Sequence, residues 1–263
     1  GPGLLSHVIT SKYMDHIPLQ RLKRIFRRSE FKINASTMCG WIAAVVSLLM
    51  PLYDAMLASI LASIVISTDA TGIKVKNGRQ KGQQKSFFWA YLGDDENPHV
   101  IFDYTQTHSR DGPKNFFKNY KGYIQADAHP VYDDLFNEQD ETGKLGKSSR
   151  LIEVGCMAHS RRRFYKAKDT DKKRSEEALN FFRALYDVEE YARELSHKDR
   201  QSLRETLAKP ILKAFKEWLK MNELKVLPKS PIGEAISYAL KHWDALTRYA
   251  DDGRLKIDNN HTE

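Results

Sequence analysis

The sequence predicts a mixed α/β protein in which a helical amino-terminal region precedes a five-stranded mixed sheet and a second helical region follows it. Three observations carry that prediction. Apolar residues recur every three or four positions through the first sixty residues, the period of helices with one buried face. From Ala62 the period shortens to compact β-branched and aromatic runs separated by turn residues, which read as strands. From Arg161 the longer period returns on a highly charged background.

In the first region Leu19, Leu22, Ile25 and Phe26 share one helical face, with Pro18 suited to the first turn. Ser29 to Ile33 breaks the pattern. Asn34, Ser36 or Thr37 can then cap a helix carrying Trp41 and Ile42. Two short helices with a tight connection suggest a helix-turn-helix. From Trp41 to Ile66 the only charge is Asp54, but Ser47, Pro51, Tyr53 and Ser59 interrupt the run. Amphipathic helices are therefore expected there rather than a membrane span, which needs about 20 apolar residues.

Ile64-Val65-Ile66 forms the first expected strand, ending at Ser67-Thr68-Asp69. Ser86–Leu92 and His99–Tyr104 follow, with Asp94, Asp95, Asn97 and Pro98 as the turn between them. Gly112-Pro113 opens a short helix bearing Phe116 and Phe117. Tyr123–Asp127 is a fourth strand, Val131–Phe136 a helix, and Leu151–Cys156 a fifth strand. That order implies a mixed sheet with helices on its faces. Three helical stripes come next: one through Leu179, Phe182, Leu185 and Tyr186, and one through Ile211, Leu212, Phe215 and Leu219. The third starts at Ser230-Pro231 and stops near Asp252-Gly253.

The chain has 263 residues, 41% hydrophobic and 29% charged, a composition that excludes a disordered chain, a collagen repeat and a disulfide-stapled mini-protein. Cys39 and Cys156 are too few for a disulfide framework and fit a reducing compartment. The net charge of +8 favours a polyanionic partner, nucleic acid before membrane. Within residues 1–60, seven basic residues face three acidic ones, and Lys23, Arg24, Arg27 and Arg28 cluster together. That cluster reads equally as a solvated helix face or as a DNA contact. Arg161-Arg162-Arg163 divides the same way between a solvated helix start and phosphate contacts.

Gly143–Ser148 looks like a phosphate-binding loop, but Glu141 stands where the motif needs Gly, so that reading is rejected. Cys156-Met-Ala-His159 has metal-ligand spacing but lacks the two further ligands of a structural zinc site. It stands as an accessory candidate at most. Asp69 and Asp127 each close an apolar, strand-like run. Each alone reads as a turn or cap residue. Together on adjacent strands they would meet at the sheet edge where open α/β folds bind ligands, and clustered carboxylates bind hard cations such as Mg2+. Glu263 offers a third carboxylate, or else merely caps a helix begun at Asn260.

The sequence resembles transposases of the insertion sequence 66 family. The landmarks are Leu4-Leu5-Ser6-His7 with Ser11 to Leu19, Ser36-Thr37 to Trp41, Asp69-Ala70-Thr71 and Gln125-Ala126-Asp127-Ala128. Cys156 to Arg162, Asp251 to Leu255 and Ile257-Asp258-Asn259-Asn260 complete the set. The resemblance implies a ribonuclease H-like fold carrying an Asp-Asp-Glu triad, with Asp69, Asp127 and Glu263 in the three catalytic and metal-holding positions. It also implies a helical insertion before the Glu. The chain then divides into an amino-terminal DNA-binding region (1–60), a catalytic core (61–160), the insertion (161–253) and the start of the Glu helix (254–263). The family usually has Asp-Glu-Thr where this chain has Asp69-Ala70-Thr71. It continues past the Glu and carries a zinc-binding region upstream. The chain is therefore expected to be a fragment, whose own activity depends on how Glu263 is held.

The activity the resemblance implies is metal-dependent hydrolysis of DNA phosphodiester bonds and strand transfer at insertion-sequence ends. It calls for two Mg2+ or Mn2+ ions roughly 3.5–4 Å apart. Terminal inverted repeats and target DNA are the implied partners, with a homo-oligomer and accessory transposition proteins as further ones and no membrane. The implied location is the bacterial cytoplasm, at the nucleoid. Two rival readings stay open: a ribonuclease H-like nuclease without transposition, and a non-catalytic DNA-binding or assembly module.

Overall fold

A computed structural model describes residues 1–76, 83–109, 111–128, 130–136 and 151–262. The chain forms two compact units, Gly1–Ala58 and Ser59–Glu263. In the first, helix α1 (Pro2–Tyr13), α2 (Leu19–Arg28) and the start of α3 (Ala35–Ala62) enclose a small core of Val8, Leu22, Ile33 and Met38. Leu19, Ile25 and Phe26 pack against it, as the stripe on α2 predicts. Helix α3 differs from the expected short amphipathic helices. It runs unbroken for 28 residues through Pro51, and Val46, Leu48, Leu49, Met50 and Leu52 lie exposed. By length and composition alone it is long enough to cross a membrane. Pro51 is accommodated without ending the helix, and no acidic residue stands in the first turn.

The second unit is built on a five-stranded mixed sheet of order β3-β2-β1-β4-β5. Its strands are β1 (Val65–Lys76), β2 (Gln83–Leu92), β3 (Val100–Thr105), β4 (Gly122–Gln125) and β5 (Leu151–Val154). The first three form an antiparallel meander, and β4 and β5 add in parallel beside β1. All five strands fall where the sequence pattern puts them, but β1 is far longer than the run Ile64–Ile66 predicts. Its backbone stays paired with β2 from Ser67↔Leu92 to Lys76↔Gln83, so continuous ladder hydrogen bonds outweigh the poor strand propensity of Asp69 and Gly72. Asp69 therefore lies inside a strand and not at its end. Short helices α4 (Asp111–Phe116) and α5 (Asp133–Phe136) flank β4.

One face of the meander is buried. Trp89, Tyr91, Ile101 and Thr68 are almost solvent-free. The Tyr91 ring stacks on Phe116 and meets Phe117 edge-on. The opposite face of the same strands carries Phe88, Phe102 and Tyr104 in the open.

After β5 the chain enters α6 (Met157–Lys166), α7 (Lys172–Ala192), α8 (His197–Leu203), a π-helical turn (Arg204–Ala208), α9 (Lys209–Glu223), α10 (Pro231–Lys241) and α11 (Trp243–Thr247). The three predicted stripes form their core: Phe182, Leu185, Leu212, Phe215, Leu219, Ile236 and Leu246 are buried in one cluster with Val65 and Val154 of the sheet. Ser230 caps α10, its hydroxyl accepting the Gly233 N–H at 3.2 Å, with Pro231 at the first helical position.

The chain then returns from the helices to the sheet. Arg204, 1% exposed, pairs with Glu189 through two contacts of 2.9 and 2.6 Å. Its remaining donors reach the carbonyls of Tyr249 at 2.7 Å and Asp252 at 3.1 Å. Gly253 closes the turn where no side chain fits, since an added Cβ would stand 1.7 Å from the His197 carbonyl oxygen. Leu255 and Ile257 are buried beyond it.

Candidate active site

The parallel ladder between β1 and β4 pairs Val65 with Tyr123, Ile66 with Ile124 and Ser67 with Gln125, and ends there. Asp69 lies two residues beyond Ser67 within β1, and Asp127 two residues beyond Gln125, just past the end of β4. Alternation along β1 puts Asp69 on the face of Ser67. Neighbouring strands lie about 4.8 Å apart. Both aspartates are half-buried at the carboxyl end of the parallel ladder, the edge at which open α/β sheets bind ligands.

Tyr132 reports on both of them. Its phenol is buried, and burial raises its pKa far above the ordinary value. The Thr68 hydroxyl, 3.4 Å away, opposes that rise, and the negative charges of Asp127 and Asp69 add to it. The hydroxyl thus stays protonated within the field of both carboxylates. Tyr238 on α10 stands beside Asp127 alone. Burial raises its phenol pKa, the Arg163 guanidinium and the Ala128 N–H lower it, and Asp127 and Cys156 raise it. The Arg163 guanidinium carbon lies 4.0 Å from the centre of the Tyr238 ring. So the three adjacent arginines differ in role: Arg163 is stacked, whereas Arg161 points elsewhere, into the cleft between α6 and α7. All three are exposed.

The returning segment crosses this end of the sheet through side-chain anchors. The Gln125 amide donates to the Lys256 carbonyl at 2.7 Å. The Met157 N–H donates to Ile257 oxygen at 3.1 Å. The Asn259 amide, fully buried, donates to the carbonyl of Thr68, the residue before Asp69, at 3.3 Å. A 3-10 turn, Asn260–Thr262, follows and lies against β1 and β2. The Asp258 carboxylate accepts the Asn260 N–H at 3.2 Å and the Tyr186 hydroxyl at 2.5 Å, while the expected Asn260 cap for a helix carrying Glu263 involves a residue outside the described ones. Burial first, and then this bond to Asp258, raise the Tyr186 phenol pKa.

Cys156 is buried and stands at the cap position of α6. Burial raises its thiol pKa, against the opposing pull of the Asn259 and His159 N–H groups. The Cys-Met-Ala-His and Ile-Asp-Asn-Asn motifs are therefore two sides of one packed junction. Among the described residues no group of three or more His, Cys, Asp or Glu side chains is arranged to hold a metal ion. Glu263 and the loop Gly143–Ser148 lie outside the described residues. On α2, Arg24, Arg27 and Arg28 are exposed and Lys23 half-buried.

The sequence reading misses Tyr132, Tyr238, Arg204 and the anchoring role of Asn259. Asn259 sits inside a landmark motif and was legible to that extent. The others carry no local signal, because each acts through a partner far along the chain.

The family model described as Transposase IS66 family matches residues 1–263, and the chain belongs to that family. It is similar to two proteins of Sinorhizobium fredii (strain NBRC 101917 / NGR234). "Uncharacterized protein y4jD" is 27% identical over 268 residues, covering 99% of this chain and 52% of the relative. "Uncharacterized protein y4qI" is 28% identical over 268 residues, covering 99% and 49%. The chain thus spans about half the length of these curated relatives.

Proposed function

We propose that this chain is the catalytic part of a transposase that hydrolyses and rejoins DNA phosphodiester bonds at insertion-sequence ends, on a sheet of ribonuclease H-like type. The position of Asp69 and Asp127, each two residues past the last β1–β4 pair, carries the reading. The hydrogen bond from Asn259 to Thr68 supports it, because it ties the segment before Glu263 to the same strand. Two carboxylates on adjacent strands repel each other, and a hard cation between them relieves that repulsion. Asp69, Asp127 and Glu263 would hold Mg2+ or Mn2+, which when bound polarises the phosphate and lowers the pKa of bound water.

The chain's own residues prepare the site. Tyr132 stays a neutral hydroxyl within the field of both aspartates, and Arg163 stacked on Tyr238 braces the turn that follows Asp127. On this reading residues 1–60 bind DNA, with Lys23, Arg24, Arg27 and Arg28 contacting phosphates. Residues 61–160 are the core, 161–253 the insertion and 254–263 the start of the Glu-bearing element. Arg161, Arg162 and Arg163 would serve DNA as well. The partners are terminal inverted repeats and target DNA, and the location is the bacterial cytoplasm at the nucleoid.

The test is cleavage of labelled element-end DNA by this chain in Mg2+ or Mn2+. Asp69→Asn and Asp127→Asn are each expected to lower the rate by about 10²–10³-fold or more, the scale on which loss of one transition-state partner acts, with unfolding midpoints little changed. Full activity in Asp127→Asn would overturn the reading.

A further inference from the structure

We propose that the cleft between α6 and α7 is a DNA-backbone site separate from the aspartates, gripping phosphates of the strand that leads into them. This rests on the reading of the chain as a DNA-processing enzyme, and extends it to a surface on the helical region. The cleft encloses about 480 Å³. Its two walls are helical rows of matching spacing. Arg161, Tyr165 and Lys168 line one wall, and Leu179, Arg183 and Tyr186 line the other. Positions separated by four and then three residues lie on one helical face, so each row points into the same groove.

The chemistry suits a phosphodiester. Three cations line the groove against one acid, Asp187. Lys168 also pairs with Glu176 at 3.7 Å across a partly exposed surface, which leaves the two arginines as the principal charges. Arg161 and Arg183 are both exposed, and among the described residues neither makes an ion pair. Guanidinium groups bind phosphate oxygens bidentately. Tyr165, 62% exposed, presents an aromatic ring at the rim on which a sugar or base can lie.

The floor of the cleft connects it to the aspartates. Tyr186 donates to Asp258, and Asn260, which lines the groove, has its N–H on the same carboxylate. Asp258 is thereby occupied by donors from both sides and does not present a bare charge to an entering phosphate. The strand held here would run beside the segment 256–262, which crosses to β1 at Thr68.

The experiment measures binding of duplex element-end DNA by fluorescence anisotropy across a salt series. It compares the wild type, the double variant Arg161→Ala/Arg183→Ala, and a charge-matched control, Lys213→Ala/Lys220→Ala, on exposed positions of α9. Each phosphate contact contributes about 0.9 to the slope of log K against log salt. The cleft variant is therefore expected to lose nearly two units of slope and roughly tenfold in affinity per arginine at 0.1 M salt. The control should move much less, and both should melt with the wild type. An unchanged slope in the cleft variant, with Asp127-dependent cleavage intact in the wild type, overturns the cleft and leaves the function standing. No DNA binding by the wild type overturns the functional reading itself. A third arm titrates a nucleoside monophosphate. Saturable binding that disappears in the cleft variant, with the DNA slope unchanged, assigns the groove to a small phosphate ester and also overturns the proposal.

Discussion

The acidic end of the sheet is assembled by two different means. Strands β1 and β4 are held by a backbone ladder of three consecutive parallel pairs, and Asp69 and Asp127 each follow two residues after its last pair. The segment leading to Glu263 has no ladder. It is held by individual side chains reaching across the chain: Gln125 to Lys256, Asn259 to Thr68, and Arg204 to the carbonyls of Tyr249 and Asp252. A ladder spreads its restraint over many backbone groups, each of modest net value. An anchored segment concentrates its restraint in a few buried polar groups that are costly to leave unmatched. Single substitutions should therefore damage the anchored side far more than the laddered side.

Arg204 gives the largest expected effect. Truncating it to Ala leaves the Glu189 carboxylate, only 15% exposed, without its cation and two carbonyls without their donor. Breaking a buried pair from one side costs about 3–5 kcal/mol, measurable as a lowered urea midpoint at unchanged m-value. Replacing both partners, Arg204→Met with Glu189→Leu, should recover much of that loss, because the charge-desolvation cost is removed along with the pair. If Arg204→Ala melts like the wild type, the return segment is held by something other than this arginine.

Asn259→Ala comes next and separates position from stability. It removes one buried hydrogen bond, worth about 0.5–1.5 kcal/mol, and releases the segment from the residue preceding Asp69. The expected outcome is a small shift in melting with a much larger fall in metal-dependent DNA cleavage. Equal proportional losses would mean that the contact serves the fold alone.

This contrast also explains what could be read from the chain in advance. The strands, the stripes through Phe182, Phe215 and Ile236, and the Ser230 cap are local patterns, and local patterns survive in sequence. Asp69 and Asp127 were legible only as two acids closing strand-like runs, and the true length of β1 was hidden because its second half depends on β2. Arg204 carries no local signal in the sequence. Nothing nearby in sequence marks a residue whose partners lie 15 and 45 positions away. Likewise Arg161, Arg162 and Arg163 read as one basic run, and only the facing helices divide them. Tyr238 takes Arg163, and the groove with Arg183 takes Arg161.

The smallest expected effect lies at Asp252, in the turn that starts the return. The Arg254 side chain, with Nε at 3.0 Å and Nη2 at 2.6 Å, and then its backbone N–H at 2.9 Å, hold the carboxyl pKa below the ordinary value, with burial opposing them. A carboxyl whose folded-state pKa is lowered binds protons more weakly folded than unfolded, so its contribution is complete above its unfolded value of about 3.8. That contribution fades as pH falls from there through the lower folded-state value. Asp252→Asn should therefore flatten the acid limb of stability against pH while leaving stability near neutrality only slightly reduced, since the pair is partly open to solvent. Thermal melts of wild type and variant between pH 2 and pH 7 give the comparison. Parallel curves would show that the Arg254 contacts do not bias the turn. In that case the direction in which the chain returns to the sheet is set by the other anchors, Arg204 and Gly253 first among them.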